Sequence, residues 1–145
     1  MTTYQKVSLF LLRVSMGCLF LYAGLSKVLD PSWSAAGYLK GAKAFPELFG
    51  WLASPGMLPL TNFLNEWGLT LLGVSLILGI LVRWSAIGGA FMMAMYYLAL
   101  GFPYPNEHAL VVDEHIVYIF ALLVLAAFNA DRVWGLDRHL WGKRK

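Results

Sequence analysis

The sequence is poor in charge. Lys, Arg, Asp and Glu make up 13% of its 145 residues, whereas 59% are hydrophobic, and the mean hydropathy is +0.64. A soluble domain carries about 25% charged residues. Because so few polar side chains cannot cover the surface, we expect the lipid bilayer to form part of the solvent of this chain. The length fits one domain, residues 1–145.

Cysteine is nearly absent. The one cysteine, Cys18, lies inside an apolar segment, which excludes an internal disulfide, a two-thiol redox pair and a cysteine-rich metal or iron–sulfur site. Haem-attachment motifs, dinucleotide-binding motifs and repeats are also missing. The net charge of +3 is small, and the basic residues lie mostly at the ends of apolar segments. This pattern indicates membrane orientation, and no nucleic-acid partner is expected.

What the sequence does contain is four long apolar segments, at about residues 7–28, 62–81, 84–100 and 109–128. Each is close to the ~17–25 residues that a membrane-spanning helix needs. The connection "VRWS" is so short that the second and third segments form an antiparallel hairpin. Arg13 and the lack of a cleavage site argue against a signal peptide. The predicted fold is all-α, a polytopic membrane four-helix bundle.

The sequence of residues 31–60 predicts short helices that lie in the membrane interface. Asp30 can cap a helix that has Pro31 at its first position, and Pro46 breaks that helix and starts another. Five aromatic rings favour the depth of the lipid headgroups. The alternative, a disordered loop, fits this aromatic content poorly. The five are Trp33, Tyr38, Phe45, Phe49 and Trp51.

The basic residues predict the orientation. Four spans put both termini on one side, and the side richer in Lys and Arg faces the cytoplasm. We therefore expect cytoplasmic termini, a cytoplasmic tail at 129–145 and an outward-facing 31–60 segment. The side of the termini collects Lys6, Arg83, Arg132, Arg138, Lys143, Arg144 and Lys145, and the other side holds Lys40 and Lys43.

Ionisable residues from three helices are predicted to meet near the outer surface. Lys27 ends the first segment, Glu66 lies about one turn inside the second, and Asp113-Glu114-His115 begins the fourth. Charges at membrane depth persist where they are paired or functional. We expect a partly buried polar pocket. The alternative is that Lys27 pairs with Glu66 or Asp113 only to hold the helices together.

Several stretches resemble the DoxX/DoxD family of small four-helix membrane proteins. The run "RVSMGCLFLYAGLSKVLDP" looks like the opening of that family, as does "NEWGLTLLGVSLILGILVRWSAIGGA" with its acidic residue, glycines and closing arginine. The ending "EHIVYIFALLVLAAFNADRVWGLDRHL" is similar to the closing helix and tail, and "DPSWSAAGYLKGA" to a loop of the DoxD-like branch. The likeness covers nearly the whole chain.

The resemblance implies a four-helix membrane bundle and, for DoxD-type proteins, a subunit of thiosulfate:quinone oxidoreductase. That enzyme joins two thiosulfates to tetrathionate and passes two electrons to quinone, together with a second, single-span subunit, DoxA. Quinone is therefore the expected electron acceptor. A DoxA-like subunit or a respiratory complex is the expected partner within the bilayer.

Residues can be matched to that chemistry. Glu66, Asp113 and His115 are candidate proton carriers, because quinone reduction takes up two protons. Lys27, helped by Lys40 or Lys43, can attract an anion. Tyr96 and Tyr97, with Met92 and Met93, can line an apolar slot for the quinone ring, or they can serve ordinary helix packing. The candidate substrate-binding residues are Lys27, Arg13, Glu114, Tyr96 and Tyr97.

Three other interpretations of the sequence differ in how well they fit. His108 and His115 with Glu114 offer metal ligands, but the three histidines are scattered and no metal is predicted. The glycine-rich helix faces and the lack of a bound redox centre suit a non-catalytic subunit or assembly factor of a larger respiratory complex. A small-molecule carrier fits less well, because paired broken segments and an inverted repeat are missing.

Overall fold

The computed structural model of the protein describes residues 1–105 and 110–137. Those residues form helices and connections without any strand, which confirms the predicted all-α class. A π-helical turn joins α4 to α5, and a short 3₁₀ turn, Ala130–Arg132, follows the last helix. The helices are α1 (Thr3–Val28), α2 (Ala36–Lys40), α3 (Pro46–Leu52), α4 (Leu58–Phe63), α5 (Leu69–Leu78), α6 (Val82–Leu100) and α7 (Glu114–Ala127).

Helix α1 is the longest element. The hydroxyl of Thr2 accepts a hydrogen bond from the Gln5 amide, and the Gln5 side chain accepts one from the Thr2 amide. This reciprocal capping satisfies two amides that the first turn would otherwise leave unpaired. Among the described residues, α1 alone is both long and apolar enough to cross a membrane by itself.

The second helical segment is continuous although it changes type. Helix α4 passes into a five-residue π-helical turn, Leu64–Gly68, and then into α5 with right-handed dihedral angles at each junction. It begins at Leu58, earlier than the predicted residue 62. It ends where Gly79 adopts a φ of +70°, a conformation that glycine takes without steric penalty. Helix α6 starts three residues later, so the predicted tight hairpin is formed.

The helices pack in two close pairs. Helix α1 lies along α5, and α6 lies along α7, whereas α5 and α6 touch each other less. A Cβ atom added at Gly24 would come within 3 Å of the Thr70 backbone, so glycine permits this close approach of α1 and α5. The largest apolar side chains that are fully buried are Phe20, Phe49, Leu69, Leu76, Val82, Leu122 and Leu125.

Residues 31–57, called the lid below, cover one end of the helices with α2 and α3. The predicted helix start at Asp30-Pro31 is wrong, because the Asp30 carboxylate bonds the amide and hydroxyl of Ser32 in a local turn, and α2 begins only at Ala36. These two bonds also hold the pKa of Asp30 below its usual value. Helix α3 starts at Pro46 as expected.

The lid is fastened to the end of α6. The Lys43 amide donates to the Ala99 carbonyl at 3.0 Å. Ala99 also belongs to a small apolar core with the lid residues Leu39 and Phe49, separate from the main core. We call this end of the molecule the lid end, and the opposite end, with the α5–α6 turn, the turn end.

Helix α7 begins at Glu114, later than the predicted residue 109. Asp113 accepts a hydrogen bond from the Ile116 amide at 3.2 Å and so caps the helix. Residues 106–109, with His108, lie outside the described residues, as do residues 138–145 of the predicted tail.

Candidate functional site

The lid end contains a buried carboxylate paired with a histidine. Asp113 Oδ2 lies 2.7 Å from His115 Nδ1. The Asp113 residue is only 7% exposed, and its other carboxylate oxygen caps α7. Because the carboxylate accepts the Nδ1 proton, the neutral imidazole leaves Nε2 as an acceptor. The contact between the two side chains therefore fixes the position of the Nδ1 proton and the orientation of the imidazole ring.

Tyr96 joins this pair to the second helical segment. Its ring meets the His115 ring edge to face with centroids 6.1 Å apart, and its hydroxyl donates to Asn65 Oδ1. Asn65 in turn donates to the Thr61 carbonyl at 2.8 Å. A connected row of polar groups thus runs from Asp113 on α7 across α6 to the π-helical turn.

The lid contributes Tyr38 to the same cluster. The Tyr38 hydroxyl donates to the Tyr96 carbonyl at 2.8 Å, and the two rings meet edge to face at 6.1 Å. Burial, the Asp113 charge and Tyr104 raise the pKa of Tyr38 to about 12. This phenol therefore remains a hydrogen-bond donor throughout the physiological pH range.

A groove of about 880 Å³ runs between α5 and α6, starting at this cluster. Tyr38, Asn65 and Tyr96 stand at its lid end, and Leu78, Ile80 and Leu81 at its turn end. Its volume lies in the ~300–1,000 Å³ range of small-molecule sites. Its walls between those ends are almost wholly apolar. The site can therefore take an elongated apolar molecule with one compact polar end.

The adjacent tyrosines of α6 face different ways. Tyr96 and Met92 line the groove, as predicted for an apolar slot. Tyr97 and Met93 do not, and the slot has to be corrected for both: they are 3% and 4% exposed on the core side, and the Tyr97 hydroxyl donates to the Val111 carbonyl at 2.6 Å. Successive helix residues lie ~100° apart, so both pairs cannot face one slot.

Lys27 and Glu66 also lie at the lid end. Lys27 Nζ donates to the Ala23 carbonyl at 2.7 Å and lies 5.5 Å from the centre of the Trp33 ring. The carbonyl of Glu66 accepts from the Thr70 hydroxyl at 2.7 Å. Both residues are partly buried.

The alternative of a Lys27 ion pair with Glu66 or Asp113 is not realised. Within residues 1–105 and 110–137, the one ion pair joins Asp113 to His115. Lys27 contacts an aromatic ring and a carbonyl instead, which leaves it available to attract an anion at this end.

Arg13 and Glu114 do not join the cluster. Arg13 is fully buried near the turn end, where its guanidinium donates to the carbonyls of Ala130, Val133 and Trp134 at 2.6, 2.9 and 3.3 Å. It fastens the chain after α7 to α1, away from the lid end. Glu114 is exposed in the first turn of α7.

Sequence reasoning missed Asn65 and the role of Tyr38. A signal for Asn65 exists, because it lies one helical turn after Asn62 and next to Glu66. The sequence predicts Tyr38 only as an interfacial ring, and nothing in it indicates that the hydroxyl reaches α6. Groups of three or more His, Cys, Asp or Glu side chains suited to a metal do not occur in the described part of the chain.

Comparison with known proteins identifies the family. The DoxX family model matches residues 8–101 of the 145-residue chain. The chain belongs to the DoxX family. This match confirms the resemblance seen in the sequence, and with the long apolar α1 it makes the chain a membrane protein of the DoxX type. Neither a curated protein nor a solved structure matches the chain.

Proposed function

We propose that the chain crosses the bilayer four times, with both termini in the cytoplasm and the lid end outside. Helix α4, the π-helical turn and α5 form one rod over residues 58–78, long enough at ~1.5 Å per residue for the ~30 Å hydrocarbon core. Large apolar side chains on the outer helix faces are more than half exposed, which suits contact with lipid. They include Leu11, Tyr22, Val117 and Phe120.

We further propose quinone-linked oxidation of a small sulfur anion, such as thiosulfate, at the lid end. The observation that carries this proposal is that the apolar groove ends against Tyr96 and Asn65, and that the Tyr96 ring contacts His115 of the His115–Asp113 pair. A quinone ring needs an apolar slot, hydrogen-bond partners for its oxygens and a nearby source of protons. All three requirements meet at this one place.

The overall reaction balances without a further reactant. Two thiosulfate anions join through a new S–S bond to give tetrathionate and release two electrons. One quinone takes up those two electrons and two protons to become the quinol. His115, held by Asp113, is the candidate group for passing protons to the ring, and Glu66 is the second. Glu66 lies in a π-helical turn, an irregularity common at functional sites.

The anion would approach from the aqueous side of the lid. Lys27 lies at this end without a carboxylate partner among the described residues, and Lys40 and Lys43 lie on the lid itself. A DoxA-like subunit or a respiratory complex would complete the anion site or carry the electrons.

The proposal is tested by reconstituting the protein with its partner in vesicles that contain a quinone and adding thiosulfate. Quinone absorbance should fall, and His115→Ala and Glu66→Gln should slow this by roughly 10²-fold or more, the usual contribution of a proton-transfer group. Glu47→Gln, in the lid and outside the cluster, is the matched control and should keep the wild-type rate. Unchanged rates in both site variants would remove these residues from the mechanism.

The second candidate is a non-catalytic subunit or assembly factor. It is favoured by the glycine contacts between α1 and α5, where Gly17, Gly24 and Gly73 serve close packing. Gentle extraction separates the two candidates. Quinone that stays bound to the purified protein supports the first, and a stoichiometric respiratory complex without quinone supports the second.

A further inference from the structure

The two glycines that line the α5–α6 groove differ from those that pack α1 on α5. A Cβ atom added at Gly88 would lie 3.8 Å from a Leu72 methyl group, and one added at Gly68 would lie 3.8 Å from the Met92 sulfur. Both are ordinary contact distances. Close helix approach therefore does not require glycine at these two positions. Because glycine has no side chain, both positions leave the groove wider.

The groove is longer than one leaflet of the bilayer. Its α5 wall extends from Leu64 to Leu78, which is about 20 Å at ~1.5 Å per residue. Half of the ~30 Å hydrocarbon core is only ~15 Å. A chain anchored at the lid end and filling the groove therefore runs past the middle of the bilayer, as a long polyprenyl tail can.

At the lid end of the groove, Asn65 has a second amide N–H available to a ligand, beyond the one that it donates to the Thr61 carbonyl. The two hydroxyls deep in the groove belong to Ser75 and Ser85, which lie 2.5 Å apart. Ser75 donates to the Ile80 carbonyl, so Ser85 must donate to Ser75, and both protons are used within the protein. The deep part of the groove therefore suits a purely apolar chain.

From this geometry we propose that the groove binds the long polyprenyl tail of a quinone, and that Gly68 and Gly88 set the width that admits it. The ring lies at Tyr96 and Asn65, and the tail runs along α5 and α6 to Leu78 and Leu81. The placement of the ring rests on the proposed function, whereas tail binding can be measured without any turnover.

The test uses quinones whose tails carry a photoreactive group at the far end, added to the full-length protein in lipid nanodiscs. Mass spectrometry then locates the label. A long tail should label residues 78–84, and a tail of half that length should label the level of Leu72 and Gly88. Excess unlabelled polyprenyl quinone should remove the label, and excess phospholipid with ordinary acyl chains should not.

Variants test the width of the groove. Gly88→Leu places a side chain half-way along the groove, at the level of Leu72, and should lose the saturable label at residues 78–84. Gly50→Leu, on α3 where an added Cβ meets nothing within 4 Å, is the matched control and should keep it. The wild-type tail-length series keeps the test valid if Gly88→Leu fails to fold.

Other outcomes contradict the proposal. It is overturned by label that no quinone displaces, by label spread over α1 and α7, by label that phospholipid removes, or by a label position independent of tail length. A groove found filled by a partner helix overturns it as well.

A polyprenol with the same tail and no quinone ring separates this inference from the proposed function. Saturable labelling by both probes without quinone turnover leaves the tail site standing while the proposed function fails. Turnover without saturable labelling would leave the proposed function standing while the tail site fails.

Discussion

Asp113 both caps α7 and holds the ring of His115, a side chain that can transfer protons. One carboxylate oxygen caps α7 at the Ile116 amide, and the other accepts from His115 Nδ1. Asparagine caps a helix as well as aspartate does, but its amide nitrogen cannot accept the imidazole proton. Substitution can therefore separate the structural role of this side chain from its chemical one.

We predict that Asp113→Asn keeps the thermal stability of the wild type and loses quinone reduction by roughly 10²-fold, because His115 changes tautomer. Asp113→Ala should lose the activity and also about 1 kcal/mol of unfolding free energy, the usual contribution of a helix cap. Thermal unfolding in detergent and the quinone assay measure the two effects. Equal activity of Asp113→Asn and wild type would exclude a role for the His115 tautomer.

Tyr38 makes the stability of the protein sensitive to alkali. Its pKa of about 12 lies above the ordinary tyrosine value of 10.0 in the unfolded chain. Below pH 10 the phenol keeps its proton in both states, and its contribution is complete. Between about pH 10 and 12 the unfolded chain loses that proton first, so stability falls as the pH rises.

We therefore predict a smaller alkaline loss of stability in Tyr38→Phe than in the wild type. The phenylalanine keeps the ring beside Tyr96 and removes the hydroxyl that donates to the Tyr96 carbonyl. Unfolding midpoints measured from pH 8 to pH 12 test the difference. Identical pH profiles for the two proteins would mean that Tyr38 does not ionise differently on unfolding.

At the scale of helices, two interfaces of α5 serve opposite purposes. Its α1 side is packed through Gly73, where an added Cβ would come within 3 Å of the Leu21 backbone. Its α6 side is held apart and forms the groove. The first interface holds α1 and α5 in close contact, and the second leaves space between α5 and α6 for the groove.

We predict that Gly24→Ala destabilises the protein by about 1–3 kcal/mol, because the methyl group would force α1 away from the Thr70 backbone. Gly50→Ala, in α3 with open space around the added Cβ, should be neutral or stabilise by up to ~1 kcal/mol. Unfolding in a denaturing detergent series compares them. Equal stability of the two variants would contradict the close α1–α5 contact.

The sequence predicts where the helices lie along the chain better than it predicts which face of each helix meets its neighbours. The apolar segments, the hairpin and the Pro46 helix start follow from composition and local backbone chemistry. The groove does not, because α6 carries no charged side chain beyond its first turn to indicate which of Met92 and Met93, or of Tyr96 and Tyr97, faces α5. The rotation of a uniformly apolar helix about its own axis is set by its packing against neighbouring helices.

The partners of Arg13 were beyond sequence reasoning for a different reason. Its acceptors are backbone carbonyls 117 to 121 positions away along the chain. Backbone carbonyls are present at every residue and leave no mark in the sequence. The His115–Asp113 contact is the opposite case, since the two residues are two positions apart and share a helix start.

At the scale of the whole molecule, the proposed orientation places the lid outside and both termini inside. Cys18, the one native cysteine, is replaced by serine, and single cysteines are introduced at Ser54 in the lid or at Thr3 near the N-terminus. We predict that a membrane-impermeant maleimide labels Ser54→Cys in intact cells and Thr3→Cys only after lysis. The reverse pattern would invert the topology.

The central claim is that the polar cluster at the lid end and the α5–α6 groove form one quinone site. A crystal structure grown from a lipidic mesophase with a polyprenyl quinone tests it most directly. The claim predicts the ring within hydrogen-bonding distance of Tyr96 or Asn65, beside His115, and the tail between α5 and α6. A quinone bound elsewhere, or a groove closed by direct contact of α5 with α6, would contradict it.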